Sequence, residues 1–291
     1  MSPYFSQVTI IGVGLLGGSL SLALKKYDLA GKVIGISRAQ TLDKALSLNV
    51  IDEGITYEEL QKGIRNSEVI FLTTPVSVII SLLEQLAPIV EDGVIVTDVG
   101  STKRSIMELA STLFTGGKYF IGGHPMAGAE QSGVEKANTD LYKNRPYVLI
   151  PSSNVPESAT DRLEYAIKCL GARTIRLNAD VHDEIVAAIS HVPQLAAVAL
   201  MNSVGNKDGE SGKYFQLAGG GFRDTTRIAS SPFSIWEDIC GTNRDNIREF
   251  LQEYIKQLQE IKNLIGTPEL AEKFRTSARY RHFLNSKYPI D

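Results

Sequence analysis

Two cysteines, Cys169 and Cys240, are all that the 291 residues contain. A pair so far apart excludes a disulfide framework and fits a reducing compartment, with both thiols expected as small buried apolar residues. A charge excess is missing too: 30 basic against 33 acidic side chains leave a formal net charge of -3, and the lysines and arginines are scattered along the chain. Without a basic field, nucleic acid is not an expected partner. No basic segment precedes the first apolar run, and no apolar run reads as long enough to span a bilayer. Neither a leader nor a membrane is therefore expected, and the chain reads as cytoplasmic. Internal repeats, low-complexity segments and any expectation of a metal site are absent as well. The one tryptophan, Trp236, sits in an amphipathic segment and is expected in the core or at a subunit interface.

What is present is the composition of an ordinary globular protein, 43% hydrophobic and 22% charged, in a chain long enough for two domains. The first half alternates short β-branched runs with longer amphipathic ones. Strands are predicted at residues 7–11, 32–37, 68–73, 94–98, 119–121, 147–150 and 173–177, with helices at 15–27 and 41–48. Strands alternating with helices imply parallel pairing through right-handed crossovers, and hence a Rossmann-type α/β doubly wound parallel sheet. After residue 178 the pattern becomes helical, at 180–201, 232–240, 244–265 and 268–280. The division is therefore a dinucleotide-binding domain over 1–178 and an all-helical substrate and dimerisation domain over 179–291.

Gly12-Val13-Gly14-Leu15-Leu16-Gly17 is a G-x-G-x-x-G placed between the first strand and the first helix. That context makes it a dinucleotide site: a tight turn, a close backbone approach for a pyrophosphate, close helix packing, and free N–H groups at the helix start. The second strand ends at Ser37-Arg38, where an acid would usually bind the ribose. A hydroxyl and a guanidinium suit a 2′-phosphate, so NADP is favoured slightly, while a solvated Arg38 would leave NAD open. Thr74-Pro75, after a strand, lies where a cofactor would be; the same residues also make an ordinary helix start. Ser101 reads as a helix cap or as a hydroxyl facing the cleft.

His124 stands in the glycine-rich stretch 119–133, beside Pro125. Its imidazole is the side chain that exchanges a proton near neutral pH without strong perturbation. It is read either as a base or as a ring satisfied by its own loop. His191 lies beside Pro193, which should kink an apolar helix; it reads first as a satisfied buried group. Gly219-Gly220-Gly221 brings backbone close to something, and Arg223 and Arg227 follow with the fork that suits carboxylates.

The motifs GVGLLGGSL, TTPV, DVGSTK, GGHPMAGAEQSG, SHVPQ and GGGFRDTTRIASSPFSIWEDI, in this order over nearly all of the chain, resemble the prephenate/arogenate dehydrogenase family of tyrosine biosynthesis. The resemblance implies a nucleotide-binding domain, a helical dimerisation domain, a homodimer, and a cofactor held at Gly12, Gly14, Leu15, Leu16, Gly17, Ser37, Arg38, Thr74, Pro75 and Ser101. It implies His124 as the base that takes the C4 hydroxyl proton, with Ser101 orienting it. Arg227 would hold a substrate carboxylate, His191 the far end of the substrate, and Gly221 and Arg223 would add contacts. Arg223 and Trp236 would act from the partner subunit. The expected substrate is prephenate, with arogenate the alternative. The chain ends soon after the helical domain, so tyrosine, as an inhibitor, would act at the active site. Rival readings are a β-hydroxyacid dehydrogenase, which would need a catalytic lysine in the helix after the linker, and a nicotinamide-binding sensor without catalysis.

Overall fold

A computed structural model of the chain describes residues 3–127, 132–209 and 212–289. The chain forms two compact units. The first runs through Asp183 and takes back Ser231–Thr242 from later in the chain; the second is Glu184–Ser230 with Asn243–Asp291. Where the sequence reading divides the chain once, after 178, these units alternate along it.

The first unit is built on an eight-stranded sheet of order β3-β2-β1-β4-β5-β6-β7-β8. The strands are β1 Phe5–Ile11, β2 Ala30–Ile36, β3 Glu53–Ile55, β4 Val69–Leu72, β5 Ile95–Asp98, β6 Tyr119–Pro125, β7 Pro146–Pro151 and β8 Arg173–Arg176. Between them lie α1 Leu15–Lys26, α2 Ala39–Ser47, α3 Leu60–Ile64, α4 Val76–Leu86, α5 Arg104–Leu113 and α6 Glu157–Cys169. Val8, Ile10 and Ile11 of central β1 and all of β4 are buried, as expected for strands covered on both faces. Strand order reverses at β1 and β4, which opens a crevice at their carboxyl ends.

The doubly wound parallel sheet expected from the sequence is found, with one pair departing from it: β6 and β7 pair antiparallel, with His124 opposite Val148. A parallel return needs a crossover helix, and the described residues between these strands supply only a single 3-10 turn, Val134–Lys136. The short β3 also escaped the sequence reading.

The later helices are α7 Ala179–Val186, α8 Val192–Asp208, α9 Lys213–Gln216, α10 Gly220–Thr226, α11 Phe233–Thr242, α12 Arg244–Leu264 and α13 Leu270–Lys287. Between α7 and α8 the backbone widens into a π-helical turn, Ala187–His191, so the irregularity expected from Pro193 falls one turn ahead of it. Helix runs on without a break through this turn. Ala179–Asp208 is 30 helical residues, long and apolar enough by length and composition to cross a membrane, although a third of its apolar window is buried in the molecule. The cysteines, expected to be buried, are only half-buried.

Candidate active site

The glycine-rich turn is shaped by contact. Gly12 has φ +99°, and a Cβ there would stand 2.6 Å from Thr74 Cγ2. A Cβ on Gly17 would lie 2.4 Å from the Gly12 carbonyl, so β1 and α1 pack only with glycine at this position. The Thr73 hydroxyl donates to the Gly12 carbonyl at 2.6 Å and holds the turn. Gly14 differs: nothing lies within 4 Å of its missing Cβ. It stands at the start of α1, where no side chain caps the helix. Open backbone and uncapped N–H groups together form an anion seat, with half-buried Leu15 and Leu16 opening the helix beneath it.

This seat lies in a cavity of about 740 Å³ that also takes in Ser37, Arg38, Thr74 and Pro75, a size suited to a cofactor. The Thr74 hydroxyl is buried and without a hydrogen-bond partner, as a ligand-facing donor would be. At the far end Tyr57 stands beside Ser37 and Arg38. Burial raises its phenol pKa, against the pull of the Ser37 hydroxyl and the Arg38 charge. Glu135, also on this wall, is paired with Lys44.

His124 sits at the carboxyl end of β6, 8% exposed. Its Nδ1 meets His182 Nε2 at 2.8 Å, with the rings edge to face. His182 Nδ1 in turn meets Asp183 Oδ1 at 2.7 Å. The Asp183 carboxylate also accepts the N–H groups of Lys103 and Arg104, at 2.7 and 2.9 Å. Lys103 is the N-cap position of α5 but offers no capping side chain, so Asp183 caps that helix from α7. Behind the histidines, the Asp98 carboxylate accepts the N–H groups of Gly100 and Gly123 at 2.7 and 3.0 Å and the ammonium of Lys103. Lys103 Nζ donates as well to the Gly123 carbonyl at 2.9 Å. Burial lowers the Lys103 pKa, opposed by Asp98. Asp98 and Lys103 thereby clamp β5 to β6 next to His124. Ser101, half-buried, lies on the loop between these anchors.

His182 and Asp183 are site residues that sequence reasoning misses. The available signal was an adjacent His-Asp pair in the first turns of an apolar helix; its partner lies 58 residues away in sequence. Residues 128–131 of the motif around His124 fall outside the described residues.

In the second unit His191 is buried, and Asn243 Nδ2 donates to its Nδ1 at 3.2 Å. Gln194, also buried, donates to the Ile228 carbonyl at 2.9 Å and fixes the segment that carries the exposed Arg227. Gly219, Gly220 and Gly221 face open space, with no described atom within 4 Å of their missing Cβ atoms. Arg223 is exposed and donates to the Ala218 carbonyl at 3.0 Å. Trp236 is half-buried on α11 of the first unit.

Comparison with known proteins agrees with this architecture. Residues 20–176 match the prephenate dehydrogenase nucleotide-binding domain, and residues 178–277 the prephenate dehydrogenase dimerization domain. The chain is 33% identical over 286 residues to a prephenate dehydrogenase of Bacillus subtilis, covering 97% of this chain and 76% of that protein. Among solved structures, the prephenate dehydrogenase of A. aeolicus in complex with hydroxyphenyl propionate and NAD+ superposes with a TM-score of 0.89 at 28% identity, covering 96% of this chain and 98% of that one. Synechocystis arogenate dehydrogenase follows with a TM-score of 0.82 at 33% identity, over 95% and 99%. The chain belongs to the prephenate dehydrogenase family and is a nicotinamide-dependent dehydrogenase.

Proposed function

We propose that this chain oxidatively decarboxylates prephenate to 4-hydroxyphenylpyruvate, with His124 as the general base. The observation that carries the reading is a buried imidazole, hydrogen-bonded through a second imidazole to a carboxylate, at the same sheet edge as the glycine-rich cofactor seat. The substrate is that named for the Bacillus subtilis relative.

The bound nicotinamide supplies the hydride acceptor. His124 takes the proton of the C4 hydroxyl as hydride leaves C4; such help is typically worth ~10²–10⁴ in rate. The C1 carboxylate departs as CO2, its electron pair enters the ring, and the ring becomes aromatic. His124 returns the proton to the phenolate oxygen, so the hydroxyl hydrogen stays with the product. Ser101 is assigned to orienting His124, and Arg227 to a substrate carboxylate. His191, Gly221 and Arg223 complete the substrate contacts.

At the adenosine end the cofactor is NADP in preference to NAD. Ser37 and Arg38 replace the usual strand-end acid, and the carboxylate of Glu135 is committed to Lys44. Tyrosine, which shares the ring and carboxylate of the product, is the expected competitive inhibitor. The chain works as a homodimer through the segment matching the dimerization domain, where α12 and α13 carry exposed Phe250, Tyr254 and Phe274. Its two free cysteines suit the cytoplasm. The test is steady-state reduction of NAD and NADP, each with prephenate and with arogenate. Prephenate with NADP should give the highest kcat/KM, and no turnover in any of the four combinations would overturn the proposal.

A further inference from the structure

We propose that His182, held by Asp183, is the positioning residue that makes His124 a base: it fixes the tautomer and the ring plane of His124. The inference rests on the reaction proposed above and deepens it.

The hydrogen bonds dictate where the protons lie. A carboxylate only accepts, so the contact of His182 Nδ1 with Asp183 Oδ1 requires N–H on Nδ1. In its neutral form His182 then presents a lone pair at Nε2. The contact of that atom with His124 Nδ1 at 2.8 Å therefore requires N–H on the Nδ1 of His124. Nε2 of His124 becomes the accepting nitrogen, the one a substrate hydroxyl must meet. When Nε2 takes the proton, the new charge on His124 faces an acceptor backed by a carboxylate, which stabilises it as it forms. Ser101 cannot substitute for this chain, because a hydroxyl donates or accepts with equal ease and does not select a tautomer.

The surrounding structure holds the chain rigidly. Asp183 is immobilised by two backbone N–H groups of the α5 start. His182 and Asp183 are each 1% exposed, so water does not compete for their hydrogen bonds. The Asp98 and Lys103 clamp fixes the neighbouring Gly123 from both its N–H and its carbonyl. A base oriented in this way loses rate, rather than binding, when its orienting partner is removed.

The test is a double-mutant cycle on the full-length protein. His182→Phe should lower kcat about 10- to 10²-fold, short of the loss from His124→Asn, while the KM for prephenate and the cofactor Kd stay near wild type. His182→Gln, whose amide oxygen accepts near the former Nε2, should recover much of that loss. In the His124→Asn background His182→Phe should cost nothing further, because its effect passes through His124. An unchanged kcat in His182→Phe, or an equal further loss in the His124→Asn background, would overturn the inference.

Ring ¹⁵N spectra of the wild-type protein, assigned against His124→Asn, supply a reading that needs no turnover. The signals lost in His124→Asn should report Nδ1–H and a bare Nε2, and the opposite tautomer would sink the inference. A wild type that turns over none of the four substrate and cofactor combinations would fail the proposed reaction, while these spectra would still decide the tautomer.

Discussion

At the scale of single residues the site separates groups that act from groups that hold. Replacing His124 with Asn should leave the cofactor Kd nearly intact and lower kcat by ~10²–10⁴, since it removes a base and no phosphate contact; stopped-flow and fluorescence titration check the two halves. Arg227→Ala should act mainly through KM, raising it by roughly 10- to 10²-fold, the worth of a hydrogen bond to a charged group. Lys103→Met should leave Asp98 a buried charge without its counter-ion and cost about 3–5 kcal/mol in denaturant unfolding. His124 stands out in the sequence as a histidine among glycines, but the strand expected at 119–121 runs on through it to Pro125, and its burial is visible only in the fold. His182 does not stand out, because its meaning comes from His124 Nδ1 on β6, 58 residues away in sequence. Arg227 and Arg223 were legible as a charged pair after glycines, yet only the fold shows that Gln194 holds the carbonyl of Ile228, next to the first, and that the second turns back to the Ala218 carbonyl.

At the scale of elements, the turn from β1 to α1 and the edge around β8 make opposite demands. Gly17→Ala would drive a methyl into the Gly12 carbonyl at 2.4 Å. The variant should lose cofactor affinity and unfold at a lower temperature, both measurable on one preparation. At the edge, Glu164 on α6 accepts hydrogen bonds from Thr174 and Arg176 of β8 and pairs with Lys168. Lys168 first, then Thr174 and Arg176, hold its pKa down at about 2. A lowered carboxylate stabilises the fold above the ordinary glutamate range and loses that contribution as pH falls toward its folded value. The gap in unfolding temperature between wild type and Glu164→Gln should therefore be full at pH 7 and close between pH of about 4.5 and about 2; a pH-independent gap would contradict it. Strands and helices with clear periods were legible, since β4, β5 and the end of β1 from Val8 to Ile11 are continuous buried runs. The direction of β7 was not, because pairing sense is set by the connection and not by the strand's own residues. The π-helical turn before Pro193 likewise depends on how α7 and α8 are each held.

At the scale of the whole molecule, the change from alternating strands to helices was legible as a change of period. The return of Ser231–Thr242 to the first unit was not, because α11 is one more amphipathic helix in the sequence. Its membership is decided by contacts: Asp238 accepts the N–H and hydroxyl of Ser77 at the start of α4, at 2.9 and 2.8 Å, and Thr242 meets Thr102 at 2.7 Å. A chain cut after Asp183 should consequently unfold more readily than the intact protein, and a peptide of residues 231–242 added in trans should recover part of the loss. Phe274→Asp should shift the intact protein toward single chains in sedimentation. The discontinuity has a consequence for synthesis. Domains ordinarily fold in the order in which they leave the ribosome, but here the nucleotide-binding unit receives its last helix only after residues 184–230 have been made. The growing chain therefore carries the cofactor unit with the start of α4 uncapped by Asp238 until α11 emerges, and nucleotide present during translation would bind an unfinished unit.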